Sequence, residues 1–170
     1  MSDLTNKVAI VTGGARDIGR QVSLKLAEQG ASVVINYYDN KSDAEETVST
    51  IKAAGGKAVA VQGDMTKYAD AQNLVSEAQK AFGAKIDILV NVAGGLMGRH
   101  TIVEMEESFW DAVMNVNLKS VFFVTKAAIP FLNDGGAIIN FSTVAVHDGG
   151  GPGAIAYATA KAGVLTFTRG

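Results

Sequence analysis

In the run Tyr157-Ala158-Thr159-Ala160-Lys161 a phenol and an ammonium stand four residues apart, in a stretch of helical character. Residues four apart share one helix face, so the charge can lie near the hydroxyl without help from loop geometry. A unit charge about 4 Å away at an effective dielectric of ~20 is worth roughly 4 kcal/mol, an upper limit of about three pKa units. A phenol with an ordinary pKa of ~10 then exchanges protons close to neutrality, as a general acid/base must. Taken alone, Tyr-x-x-x-Lys also describes an aromatic edge beside a solvated charge on an amphipathic helix.

Far upstream, Thr12-Gly13-Gly14-Ala15-Arg16-Asp17-Ile18-Gly19 follows an apolar run directly and leads into a helix carrying Ile18, Val22 and Leu26. Glycines in that place let the backbone approach a pyrophosphate, and a helix N-terminus supplies amide donors and a positive dipole end. A plain strand-to-helix turn is the bland alternative. Together, a phosphate cradle early in the chain and a proton-exchanging couple near its end point to nicotinamide chemistry.

These residues need a frame to bring them together. Val8-Ala9-Ile10-Val11, Val33-Val34-Ile35, Ala58-Val59-Ala60-Val61, Ile88-Leu89-Val90 and Ala137-Ile138-Ile139 lack polar alternation and suit a parallel sheet covered on both faces. Between them, Ala71, Leu74, Val75, Ala78 and Phe82 form a helical stripe, and Ala44, Val48 and Ile51 a shorter one. Turn signals fall at Gly30, Gly55-Gly56, Gly83 and Gly135-Gly136. The expected fold is α/β, a doubly wound parallel sheet of Rossmann type in a single domain over residues 1–170.

The chain has 170 residues, 48% hydrophobic and 19% charged, with a net charge of -2, enough for one buried core and not basic enough for nucleic acid. With no cysteine, disulfides, thiolate catalysis and cysteine-based zinc sites are excluded. The start MSDLTNKVAI lacks a charged head before a long apolar core, and no apolar run in the sequence approaches the ~18 residues of a membrane span. The expectation is a cytoplasmic protein without membrane or nucleic-acid partners.

The chain resembles the short-chain dehydrogenases/reductases from Lys7 to its last residue. TGGARDIG is similar to that family's TGxxxGxG cofactor loop, Asn91-Val92-Ala93-Gly94 to its NNAG segment, Asn117 in MNVNL to its helix asparagine, and Tyr157/Lys161 to its YxxxK. The resemblance implies that Tyr157 is the general acid/base, and that Lys161 lowers its pKa and holds the nicotinamide ribose. It also implies that Asn117 positions a water in a proton relay and that Asp64, beside Met65 in GDM, caps the adenine. The cofactor set it implies is Gly13, Arg16, Asp17, Ile18, Gly19, Tyr37, Asp64, Met65, Asn91, Ala93, Gly94, Tyr157 and Lys161. A homo-oligomer, tetramer or dimer, is implied as well.

Three departures from the family pattern stand out. Asp17 replaces the middle glycine of the loop and sets a carboxylate beside the expected pyrophosphate, unless it caps the helix instead. Val92 replaces the second asparagine of NNAG, leaving Asn91 to carry over. The active-site serine falls in Asn140-Phe141-Ser142-Thr143, where alignment on the strand favours Thr143 and leaves Ser142 open. Either hydroxyl can donate to a substrate carbonyl oxygen, and either can simply satisfy local backbone.

Cofactor choice rests on Asn36-Tyr37-Tyr38-Asp39-Asn40 at the end of the second strand. A carboxylate there accepts the ribose 2′-hydroxyl of NAD(H), whereas a 2′-phosphate wants a cation. Tyr37 occupies the usual acid position and Arg16 can reach a phosphate, which favours NADP(H); Asp39 favours NAD(H) if the strand runs longer. Phe109 and Trp110, and likewise Phe122, Phe123, Ile129 and Leu132, read as buried packing or, for the second group, an oligomer face. His100 and His147 read as surface loop residues without metal spacing. The family pattern continues beyond the point where Gly170 stands, so the chain is expected to be a fragment.

The reading that follows is hydride transfer between NADPH and a carbonyl or secondary alcohol, of 3-oxoacyl thioester or sugar type. Two alternatives remain: a nucleotide-binding sensor or assembly subunit without turnover, and a nucleotide-sugar epimerase or dehydratase that retains its cofactor.

Overall fold

A computed structural model describes residues 4–170. Five strands, β1 (Val8–Thr12), β2 (Ser32–Tyr37), β3 (Lys57–Gln62), β4 (Ile86–Asn91) and β5 (Leu132–Asn140), pair in parallel in the order β3-β2-β1-β4-β5. Successive side chains of a strand point to opposite faces. Ile10, Val34 and Leu89 accordingly pack on one side of the sheet, and Ala9, Val11, Val33, Ile35 and Val90 on the other. Burial on both faces is why these runs carry no polar alternation.

Helices α1 (Asp17–Glu28) and α2 (Lys41–Ala53) cover the second face, whereas α3 (Tyr68–Phe82) covers the first. The expected stripe of α3 is buried at Ala71, Leu74, Val75 and Ala78. In α2 the stripe includes Thr47, which packs fully buried between Ala44 and Ile51. In α1 the buried positions are Gly19 and Ser23, while Ile18 is 58% exposed. Small residues there let α1 lie close on the loop that precedes it.

A longer helix follows β4, built from α4 (Glu107–Met114), a π-helical turn (Asn115–Lys119) and α5 (Ser120–Ala128), and ends in a 3₁₀ turn at Ile129–Phe131. The whole run Glu107–Phe131 is long and apolar enough, by length and composition alone, to cross a bilayer. Its stripe Val113, Val121, Val124, Ala127 and Ala128 is nonetheless buried, with Val124, Ala127 and Ala128 in the core against the sheet. The buried face is therefore not Phe122 and Ile129, which are exposed, and Phe109 and Trp110 are only half-buried. A short α6 (Ala145–Asp148) and the final α7 (Ile155–Arg169) complete the chain.

The glycine pair expected to turn into the fifth strand lies within β5 instead. Ile86 pairs with Leu132 and Ile88 with Ala137, so Gly135-Gly136 sit in an irregular bulge, with Gly135 at φ 76°. At that end of the sheet Asp87 accepts from the Val8 amide at 2.9 Å, Lys7 Nζ at 3.0 Å and Asn133 Nδ2 at 2.8 Å, tying β1, β4 and β5 together.

The chain winds outward from β1 to β3 and then returns to β4 on the other side of β1. A crevice forms where that direction reverses, at the carboxyl ends of β1 and β4. Thr12 and Asn91 are register partners there, which sets the glycine loop beside Val92-Ala93-Gly94.

Candidate active site

The crevice is a cavity of about 620 Å³. Its walls include Gly13, Arg16, Asp17, Ile18 and Gly19 after β1, Tyr37 at the end of β2, and Asp64 and Met65 after β3. Ala93 and Gly94 after β4, Ser142 after β5, and Tyr157 and Lys161 on α7 close the other side. Residues separated by more than a hundred positions in sequence thus face one space.

The glycine loop is built for bare backbone. Gly13 sits at φ 60°, and a Cβ on it would lie 3.1 Å from Ala93 Cα. A Cβ on Gly19 would collide with the Gly13 carbonyl, so α1 can start this close to the loop only with glycine there. Thr12 Oγ1 accepts from the amides of Val92 and Ala93, both at 3.1 Å, and holds the two loops side by side. Ser23 Oγ lies within hydrogen-bond reach of the carbonyls of Gly14 and Gly19, at 3.1 and 2.9 Å, and its one proton is shared between them.

Asp17 does not cap α1. The helix has no side-chain cap; Asp17 is its first residue, at φ 49°, with its side chain 86% exposed and 3.8 Å from Arg16 Nε. A carboxylate that reaches into solvent from a left-handed backbone cannot turn back onto the second or third helical amide. The first amides of α1 therefore have no side-chain partner, and the dipole end faces the cavity. An uncapped helix start beside glycine backbone fits a pyrophosphate, and the residues present fit a dinucleotide. By contrast Asn40 caps α2 through the Asp43 amide at 3.2 Å.

Asp64 lines the cavity with its carboxyl held by the Thr66 amide at 2.9 Å and the Thr66 hydroxyl at 2.7 Å. Burial pushes this carboxyl up, but the Thr66 bonds and the nearby Lys67 outweigh it and leave it below the ordinary 3.8. Tyr37, the last residue of β2, is buried and places Tyr38 and Asp39 on the cavity rim.

On α7, Tyr157 and Lys161 both reach the cavity, as their spacing requires. Lys161 is 3% exposed, and its Nζ donates to the Phe141 carbonyl at 2.9 Å. Burial lowers its pKa from 10.5. A Cβ on Gly94 would come within 3.1 Å of that Nζ and 2.7 Å of Asn117 Oδ1, so the loop after β4 approaches both groups as naked backbone.

Three expected site residues stand back from the cavity wall. Asn117, fully buried in the π-helical turn, accepts from the Gly95 amide at 2.9 Å and donates to the carbonyls of Gly95 and Val113, both at 3.0 Å. Its side chain is spent fastening the Gly94-Gly95 loop to the helix. Asn91 donates to Thr125 Oγ1 at 3.3 Å and to Asn140 Oδ1 at 2.8 Å, while its own Oδ1 is buried with no hydrogen-bond partner among the described residues. It braces β4 against β5 and α5. Thr143 Oγ1 accepts from the Ala145 amide at 3.3 Å at the start of α6, whereas Ser142 on the wall donates to the Lys161 carbonyl at 2.9 Å.

Asn36 is a cavity-lining residue that sequence reasoning passed over. Buried in β2, it accepts from the Gly13 amide at 3.3 Å and donates to the carbonyls of Tyr37, Val61 and Gly63 at 3.3, 3.4 and 3.1 Å. A polar side chain in the interior run Val33–Tyr37 was the available signal. Ser120, Phe141 and Met97, which also line the cavity, carried none.

Fold and crevice together define a dinucleotide-type α/β protein with a Tyr/Lys couple on the crevice wall. The family model for short chain dehydrogenase matches residues 7–170, and the chain belongs to that family. It is 40% identical over 166 residues to a hydroxynaphthalene reductase-like protein Arp2 of Metarhizium robertsii, covering 98% of this chain and 61% of the relative. It is 39% identical over 166 residues to a 3-oxoacyl-acyl-carrier-protein reductase FabG of Staphylococcus epidermidis, covering 96% of this chain and 67% of the relative. Among solved structures, an NADH-dependent reductase A1-R' complexed with NAD matches with TM-score 0.92 at 35% identity, over 98% of this chain and 71% of that one. A short chain dehydrogenase of Burkholderia cenocepacia in complex with NADP matches with TM-score 0.93 at 33% identity, over 99% and 68%. The chain spans about three-fifths of the length of the first of these curated relatives.

Proposed function

We propose that the chain works as an NADP(H)-dependent oxidoreductase, interconverting a carbonyl group and a secondary alcohol with Tyr157 as general acid/base. The observation that carries this reading is that Tyr157 and Lys161 face the same cavity as the bare backbone of Gly13 and Gly94. When bound, the nicotinamide supplies or accepts the hydride, and the protein supplies orientation and the proton. Tyr157 gives its proton to the carbonyl oxygen in the direction of reduction. Lys161, fixed by the Phe141 carbonyl, holds a cation beside the reacting centre and would hold the nicotinamide ribose when the cofactor is bound.

Of the two hydroxyls after β5, Ser142 lies on the cavity wall and Thr143 stands just behind it, yet Thr143 is the one with a proton free for the substrate oxygen. A hydroxyl has one proton to give. Ser142 spends its own on the Lys161 carbonyl, whereas Thr143 acts toward Ala145 as an acceptor and keeps its proton.

Preference for NADP(H) is supported by β2 ending at Tyr37, two residues short of Asp39, and by Arg16 on the same cavity wall. The related solved structures hold NAD in one case and NADP in the other, so the preference rests on these residues. A 3-oxoacyl or similar ketone substrate is supported by the names of the relatives. A cytoplasmic homo-oligomer belongs to the same proposal, with Phe122, Ile129 and Phe131 exposed on one long helix as the apolar surface to cover.

The test is titration of the full-length protein with NADPH and NADH, followed by turnover of acetoacetyl coenzyme A by wild type and Tyr157→Phe. The expected result is tighter NADPH binding, turnover by wild type, and near-complete loss of turnover with binding retained in Tyr157→Phe. A Tyr157→Phe variant as active as wild type overturns the assignment of the acid/base; release of tightly held NAD from the purified protein favours the epimerase or dehydratase class.

A further inference from the structure

Resting on that reading, we propose that Arg99 is a positioning residue for Tyr157, acting through the glycine-rich loop that enters α7. Gly149, Gly150, Gly151 and Gly153 all lie at positive φ, between 75° and 78°. Such a backbone is open to glycine and costly for other residues, and glycine loses the most conformational freedom on ordering. The helix this loop feeds has no side-chain cap at Ala154, and Tyr157 lies in its first turn. The start of α7 is thus fixed by whatever fixes the loop.

Arg99 does so from the connection between β4 and α4. Its Nη1 donates to the carbonyls of Gly150 at 3.2 Å and Pro152 at 2.8 Å, and the next amide, His100 N–H, donates to Gly153 at 3.0 Å. The approach is close: a Cβ on Gly153 would lie 2.9 Å from both Arg99 Cβ and the His100 nitrogen. The Arg99 segment is itself anchored on α4, where the His100 and Phe109 rings pack at a 48° tilt with centroids 4.2 Å apart. A line of contacts therefore runs from α4 through Arg99 and the loop to the turn that carries the acid/base. Misplacing a reacting group by about 1 Å can cost on the order of a hundredfold in rate.

The experiment uses the full-length protein as Arg99→Ala and Arg99→Lys, with NADPH and acetoacetyl coenzyme A as probes. In Arg99→Ala, kcat is expected to fall about 10- to 100-fold, with the Kd for NADPH within about threefold of wild type. Amide exchange over residues 150–157 is expected to be faster by about tenfold or more. Arg99→Lys, which keeps a donor, recovers part of both effects, as does added guanidinium ion for the alanine variant. Unchanged exchange over 150–157 overturns the proposal, and so does faster exchange with kcat within about twofold of wild type. Wild type that neither binds NADPH nor turns over the thioester defeats the functional reading instead, while the exchange measurement still decides whether Arg99 orders the loop.

Discussion

Lys161 and Phe141 are joined by a 2.9 Å hydrogen bond from the ammonium to a main-chain carbonyl, which fixes a buried cation at the junction of α7 and the end of β5. Burial lowers the lysine pKa from 10.5. The folded state then holds the proton less tightly than the unfolded chain, so the cost of burying the charge is fully present below the folded pKa. It is relieved as pH rises from there toward 10.5. Lys161→Met removes that cost together with the cation. Its turnover is expected to fall by more than about a hundredfold, while its stability matches or exceeds that of wild type at neutral pH. Urea unfolding of both proteins from pH 7 to 10 should show the stability difference shifting in favour of wild type as pH rises.

Asp17 occupies a left-handed position that glycine adopts freely, at a cost of roughly 1 kcal/mol or more. It also sets a carboxylate on the cavity wall beside the uncapped start of α1. Asp17→Gly should both stabilise the fold and tighten NADPH binding by about 5- to 30-fold. Asp17→Asn keeps a residue that tolerates positive φ and removes only the charge. If its affinity equals that of wild type, the gain in the glycine variant is conformational; fluorescence titration at two salt concentrations separates the two.

Thr143→Val and Ser142→Ala distinguish the two hydroxyls. Loss of the substrate donor is expected to lower kcat by about a hundredfold, with Thr143→Ser largely restoring it. Ser142→Ala loosens the tie to Lys161 and should cost about tenfold or less. Steady-state kinetics showing the reverse order would reassign the donor to Ser142.

Asp87 lies at the opposite end of the sheet from the site, and its effect should appear in stability alone. Burial pushes its carboxyl up, but the Val8 amide, Asn133 and Lys7 outweigh this and hold it below 3.8. The stabilisation is therefore present above about pH 4 and is lost as pH falls through the lowered folded value. Asp87→Asn should cost about 1–3 kcal/mol at pH 7, and the gap to wild type should close toward pH 2 in urea titrations.

Asn36→Ala removes the side-chain hydrogen bonds that hold the glycine loop, β2 and the β3–α3 connection in one arrangement. The expected loss is about 1–3 kcal/mol of stability and about tenfold in NADPH affinity. A variant with wild-type affinity would show that the loop is set by its glycines and Thr12 without Asn36.

The strand runs were legible in the sequence as short unbroken apolar stretches, and the helical stripe of α3 and the shared helix face of Tyr157 and Lys161 because they follow from a local period of 3.6 residues. The ordered motifs were legible for a related reason, since a loop that needs glycine admits little else. What only the tertiary structure decided are relations between segments far apart in the chain. Asn117 and Asn91 turned out to spend their side chains on neighbouring elements, and Asn36 proved to be a clamp. Asp17 gave up the cap for a left-handed backbone, Gly135-Gly136 became a bulge inside β5, and Arg99 met a loop fifty residues away. Periodicity records which face of an element is apolar; which polar group finds which partner is settled only when packing brings the elements together and each buried donor must be satisfied.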